Sequence, residues 1–150
     1  MKERSGFLIS AVFLGAVFFL SLVPGVRAQE PIRETEAYRQ FTKKPQNDFS
    51  KIIFLMNYYR TAPFTIVFDG SDFTPDFAFP FAQIYLFIHY KGEKAAPWIK
   101  KNCYRSPVGQ NIIYLRFPSG KYKPAKEVIL RDLAQLEKDL KEDQKRIAKA

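Results

Sequence analysis

The segment from Thr74 to Tyr90 constrains this chain most, because it is apolar on more than one side of any helix it can form. Thr74 can cap the first turn, and Pro75 takes the first helical position, where its missing N–H is not needed. Pro80 falls within about the first turn and a half, where most of the backbone bonds it removes are unmade anyway, so it shifts the helix start instead of breaking the helix. Phe81, Ile84, Tyr85 and Ile88 then share one face, which Phe77, Leu86 and Phe87 widen. Such a helix is buried on two sides or leaves a patch for a partner. Burial is the expectation, with Gly92 as the stop.

The rest of the pattern supplies what this helix packs on. Asn47 or Asp48 can cap a helix carrying Ile52, Leu55, Met56 and Tyr59 at helical spacing and ending at Pro63. Phe64 to Phe68 has strand composition and stops at the turn Asp69-Gly70. A short helix from Ala95 to Cys103 points Trp98 and Ile99 inward and Lys100 and Lys101 outward. Asn111 to Phe117 reads as a second strand, turned at Pro118-Ser119-Gly120. Ala125 to about Ile147 carries Ile129, Leu133, Leu136, Leu140 and Ile147 in alternating steps of four and three, a stripe too short to define a coiled coil. The expected architecture is α+β: one small domain, 47–140, with a two-stranded antiparallel sheet on about four helices. Ile52, Leu55, Phe81, Ile84, Trp98, Ile129 and Leu133 are its expected core. A polar leader over 29–46, with one short helix near Glu34 to Phe41, precedes the domain, and a charged helical tail over 141–150 projects or frays beyond it.

The first 28 residues read as a secretory signal peptide. Lys2 and Arg4 precede an apolar run from Phe7 to Val23, and Val26 and Ala28 are small enough to precede a cut after Ala28. No cysteine follows the run, which excludes lipid modification of the lipobox type. Retention of the run as an anchor is the alternative, since its length is at the lower limit for a span. No later stretch is apolar enough to cross a membrane. The mature chain is therefore expected in the periplasm or secreted, beginning at Gln29.

Charge is uneven along that mature chain. The whole sequence carries +9. Between Lys91 and Arg131, ten basic residues face only Glu93 and Glu127. Such a concentration speeds encounters with anionic partners. In an exported protein, an anionic envelope lipid, glycan or nucleotide, or an acidic protein, fits better than nucleic acid. Lys100, Lys101, Arg105, Arg116, Lys121 and Lys123 are the candidate binding residues; a solvated face that keeps the chain soluble is the plainer reading.

Tests for known chemistry are largely negative. Gly70, Gly92, Gly109 and Gly120 form neither a Walker loop nor a dinucleotide fingerprint. Asp69, Asp72 and Asp76 cluster around a turn without EF-hand spacing, so no metal site is assigned. With one cysteine there is no internal disulfide and no Cys-rich zinc site. No cofactor is expected. Cys103, between Lys101 and Arg105, is the one candidate nucleophile, and His89 the one histidine base. A noncatalytic binding module is therefore the reading, with a small periplasmic enzyme using Cys103 or His89 as the alternative.

The run Ile53-Phe54-Leu55-Met56-Asn57-Tyr58, then Phe68-Asp69-Gly70-Ser71-Asp72-Phe73, Trp98-Ile99, the loop Ser106-Pro107-Val108-Gly109 before Ile112-Ile113-Tyr114, and Leu130-Leu133-Leu136 together resemble the YfeK-like family of small exported bacterial proteins. The resemblance covers roughly Asn47 to Leu140 and implies a shared fold and export, with no settled activity. Asp69 stands where that family usually has Asn, Phe81 falls near its helical His, and Tyr85 near its Lys. The loop before the second strand is shorter by a residue. A site formed by those polar positions would be lost here or replaced by another.

Overall fold

A computed structural model describes residues 29–149. The expected signal peptide lies outside the described residues. The fold is α+β, with five α-helices, a four-stranded antiparallel sheet and a long C-terminal helix.

Local sequence sets most boundaries. After a 3-10 turn at Ile32–Glu34, Thr35 caps α1 (Glu36–Thr42) by accepting from the Tyr38 amide. Asn47 starts α2 (Asp48–Arg60) through a reciprocal capping box with Ser50. Thr74 caps α3 (Pro75–His89), which runs through Pro80. α4 (Ala95–Asn102) has no cap of its own. Asp48, at the first turn of α2, supplies it by accepting from the Ala95 amide at 3.0 Å and pairing with Lys94 at 3.2 Å. That bond and the two neighbouring lysines hold the Asp48 carboxyl below its ordinary pKa. α5 spans Ala125–Ile147.

The sheet comprises β1 (Thr65–Phe68), β2 (Ser71–Phe73), β3 (Tyr114–Arg116) and β4 (Tyr122–Pro124), in the order β2-β1-β3-β4. Asp69 and Gly70 join β1 to β2 with φ of 49° and 74°. A two-residue hairpin turn with both φ positive matches the twist of its strands, and Asp and Gly tolerate that geometry. The expected second strand shortens to β3, preceded by a bridge between Arg105 and Ile112. The expectation of two strands is corrected to four. The added β2 and β4 are three-residue edge strands with largely exposed side chains, and β4 ends in proline. Pairing with β1 and β3 creates them; their own composition does not announce strands.

Two core clusters result. The larger joins Ile52, Phe54 and Leu55 of α2, Leu86 of α3, Trp98 and Ile99 of α4, and Leu133, Leu136 and Leu140 of α5. The smaller places Phe64 and Leu115 against Ala125 and Val128. Ile32 and Tyr38 enter the larger cluster, so residues of the 29–46 segment dock on the long helix. Arg33 pairs there with Glu142 and Asp143, and the Tyr38 hydroxyl donates to Asp143 at 2.8 Å. The first turn of the charged tail is thus held, and the chain from Gln144 onward is exposed.

The expected burial of Phe81 and Ile84 is also corrected: they are 63% and 58% exposed. α3 buries Leu86 instead and rests Phe87 and Tyr90 on Phe49. Phe77, Phe81, Ile84 and Ile88 form a solvent-facing stripe. Hydrophobicity alone could not choose which side of so apolar a helix would be covered. Among the described residues, no helix is long and apolar enough to cross a membrane.

Candidate binding cleft

Strand alternation sends Ile66, Phe68, Phe73 and Leu115 to one face of the sheet. The helices lie on that side without filling it. Between sheet, α2, α3 and α4 remains a cavity of about 540 Å³, within the range of roughly 300–1,000 Å³ usual for small-molecule sites. One wall is a continuous aromatic ladder. Phe68 meets Phe73 at 4.8 Å between ring centroids, Phe73 meets Phe77 at 5.9 Å, and Phe77 meets Phe81 at 5.5 Å. Opposite stand Met56 and Tyr59 of α2 and Ile99 of α4, and Ala78 and Ala82 leave room along α3.

Polar groups in this lining are few and mostly committed. Arg60 pairs with Asp76 at 2.6 Å and lies over the Phe79 ring. Asn102 donates to the Trp98 carbonyl at 2.9 Å and accepts from the Tyr85 hydroxyl at 3.2 Å. Trp98 is 4% exposed, and its indole Nε1–H has no acceptor among the described residues. A buried donor left unpaired costs about 1–3 kcal/mol.

The residues singled out from sequence are dispersed. Cys103 borders the cleft, but its thiol has apolar surroundings that push its pKa up to about 12. Burial alone sets this shift, with no contribution from the flanking Lys101 and Arg105. His89 is exposed at the end of α3, its ring 4.1 Å from that of Tyr85. The three clustered aspartates go to three different partners. Asp69 accepts from the Gly109 amide at 3.3 Å and from Asn111 at 2.7 Å, Asp72 pairs with Arg116, and Asp76 with Arg60. Hydrogen bonds from Ser106, Asn111 and Gly109 hold the Asp69 carboxyl below its ordinary pKa.

The six candidate basic residues divide by their bonding. Arg116 is tied to Asp72 and Tyr122 on the sheet face away from the cleft. Arg105 donates to the Gln110 carbonyl at 2.6 Å and lies over the Tyr104 ring, which Lys126 approaches at 3.7 Å. Lys100 and Lys101 on α4, and Lys121 and Lys123 beside and on β4, are exposed. The cleft was missed in the sequence, although the recurrence of Phe68, Phe73, Phe77 and Phe81 marks its aromatic wall.

No family model, curated protein or solved structure matches this chain.

Proposed function

We infer that the chain is an exported, noncatalytic binding module, and that the cleft behind α3 is where it binds. The observation that carries this reading is the apolar cavity itself, bordered by the exposed Phe77 and Phe81 of α3. Cavities of this size with apolar walls and a few polar groups are how proteins hold small ligands. Catalysis needs a nucleophile or base converging with an orienting partner. Here Cys103 is a protonated thiol and His89 sits outside the cleft lining, which speaks for binding over the enzyme alternative.

A neutral naphthylamine dye tests the site: its fluorescence should rise on entering the cleft and stay low with Ala78→Phe, which places a ring in the open space beside α3. The combined substitution Cys103→Ser and His89→Gln should leave any cellular phenotype intact; loss of a phenotype with the fold preserved would favour the enzyme. Export rests on the signal features of residues 1–28, and the YfeK-like motifs support the same placement. N-terminal sequencing of the exported protein should begin at Gln29; recovery of only full-length, membrane-retained chain would overturn it.

A second reading concerns anionic partners, an envelope component or an acidic protein. It draws support from Lys100, Lys101, Lys121 and Lys123, which are exposed and have no ion pair among the described residues. Arg105 and Arg116 are already engaged.

A further inference from the structure

We propose that the cleft holds the acyl chain of a neutral lipid-like molecule. The proposal rests on the reading of the cleft as a binding site and names its ligand class. Two observations point the same way. The walls are almost wholly hydrocarbon, and the aromatic ladder from Phe68 to Phe81 extends along one side, which suits an elongated apolar group better than a polar ring. The one cation in the lining, Arg60, is neutralised by Asp76, so nothing in the cleft offsets the desolvation of a carboxylate.

The chain's one tryptophan makes the test direct, because its fluorescence reports from the cleft alone. The probes are the methyl ester of a long-chain fatty acid brominated at mid-chain, the corresponding free acid, and phosphatidylcholine vesicles carrying the same brominated chain. Bromine quenches indole emission only at contact. The ester should quench Trp98 saturably at one molecule per chain, and the free acid should bind at least about tenfold more weakly, the cost of burying an unpaired charge. Quenching by ester in solution names a free acyl ester as the source; quenching by vesicles alone names a membrane lipid. In either case Ala78→Phe should abolish it. Circular dichroism checks that variant's fold, and Ala82→Phe, on the more exposed side of the same wall, serves if it is lost.

If the dye binds and Ala78→Phe removes it while no brominated chain quenches, the acyl assignment is overturned and the cleft remains a binding site. If neither dye nor acyl chain binds, both readings fall. Quenching that persists in Ala78→Phe and Ala82→Phe would place the chain on the outer stripe of α3 and overturn the proposal.

Discussion

The Tyr59 hydroxyl donates to the Asp132 carboxylate at 2.6 Å, joining the last full turn of α2 to the middle of α5. Asp132 is 8% exposed, and its other oxygen accepts from Arg131. Burial and the adjacent carboxylate hold the tyrosine protonated well above its ordinary range. Tyr59→Phe would leave Asp132 with Arg131 alone. The expected loss is about 1–3 kcal/mol, the cost of stranding a buried acceptor, read as a lower urea midpoint with unchanged slope.

Gly109 and Asp69 set up a second test. A Cβ added at Gly109 would lie 2.1 Å from Asp69 Oδ1. The carboxylate could swing away only by giving up Asn111 and the Gly109 amide, the contacts that tie the hairpin turn to the loop before β3. Gly109→Ala should therefore lower the melting temperature and increase amide exchange in both segments. An unchanged exchange pattern would mean that these contacts hold neither segment.

Acid should act through Asp48. Its folded-state pKa lies below the unfolded value of about 3.9, so its contribution is complete above that value and is lost as pH falls through the folded pKa. Asp48→Asn should thus be less stable than the parent at neutral pH, with the gap closing below about pH 4. A gap that is constant with pH would assign the effect to packing.

The two faces of α3 and the stripe of α5 should respond oppositely to truncation. Leu133, 2% exposed, should cost about 2–5 kcal/mol on Leu133→Ala. Phe81→Ala should stay within about 0.5 kcal/mol, as surface changes do, while weakening capture of any ligand in the cleft. A large loss of stability at Phe81 would put that ring in the core after all.

The basic segment has its own measurement. Replacing Lys100, Lys101 and Arg105 with Gln should leave the fold intact and weaken association with an anionic partner at low salt. Attraction between exposed charges is screened beyond about 10 Å at 0.1 M salt, so raising ionic strength should narrow the difference between variant and parent. Equal affinities at every salt concentration would reduce these side chains to solubilising groups.

Helix boundaries were legible wherever a cap or a long apolar stripe carried them. Of the two candidate caps for α2 the structure takes Asn47, and Thr74 and the span Ala125–Ile147 of α5 stand as read. Ser71-Asp72-Phe73 and Tyr122-Lys123-Pro124 were not legible as strands, because three residues carry too little periodicity and their pairing partners lie elsewhere in the chain. The cleft was hidden for a related reason. A sequence shows that Phe68, Phe73, Phe77 and Phe81 are apolar, but a hollow is defined by what the facing elements leave unfilled. The same limit placed Phe81 and Ile84 in the core, where Leu86 of the same helix belongs.

Both core clusters are completed by α5, which follows every other element in sequence: Leu133, Leu136 and Leu140 close one, and Ala125 and Val128 the other. A chain delivered from its N-terminal end must therefore keep its apolar faces open until that final helix arrives. Premature folding is thus withheld by topology, and the native state assembles only once nearly all of the described chain is present.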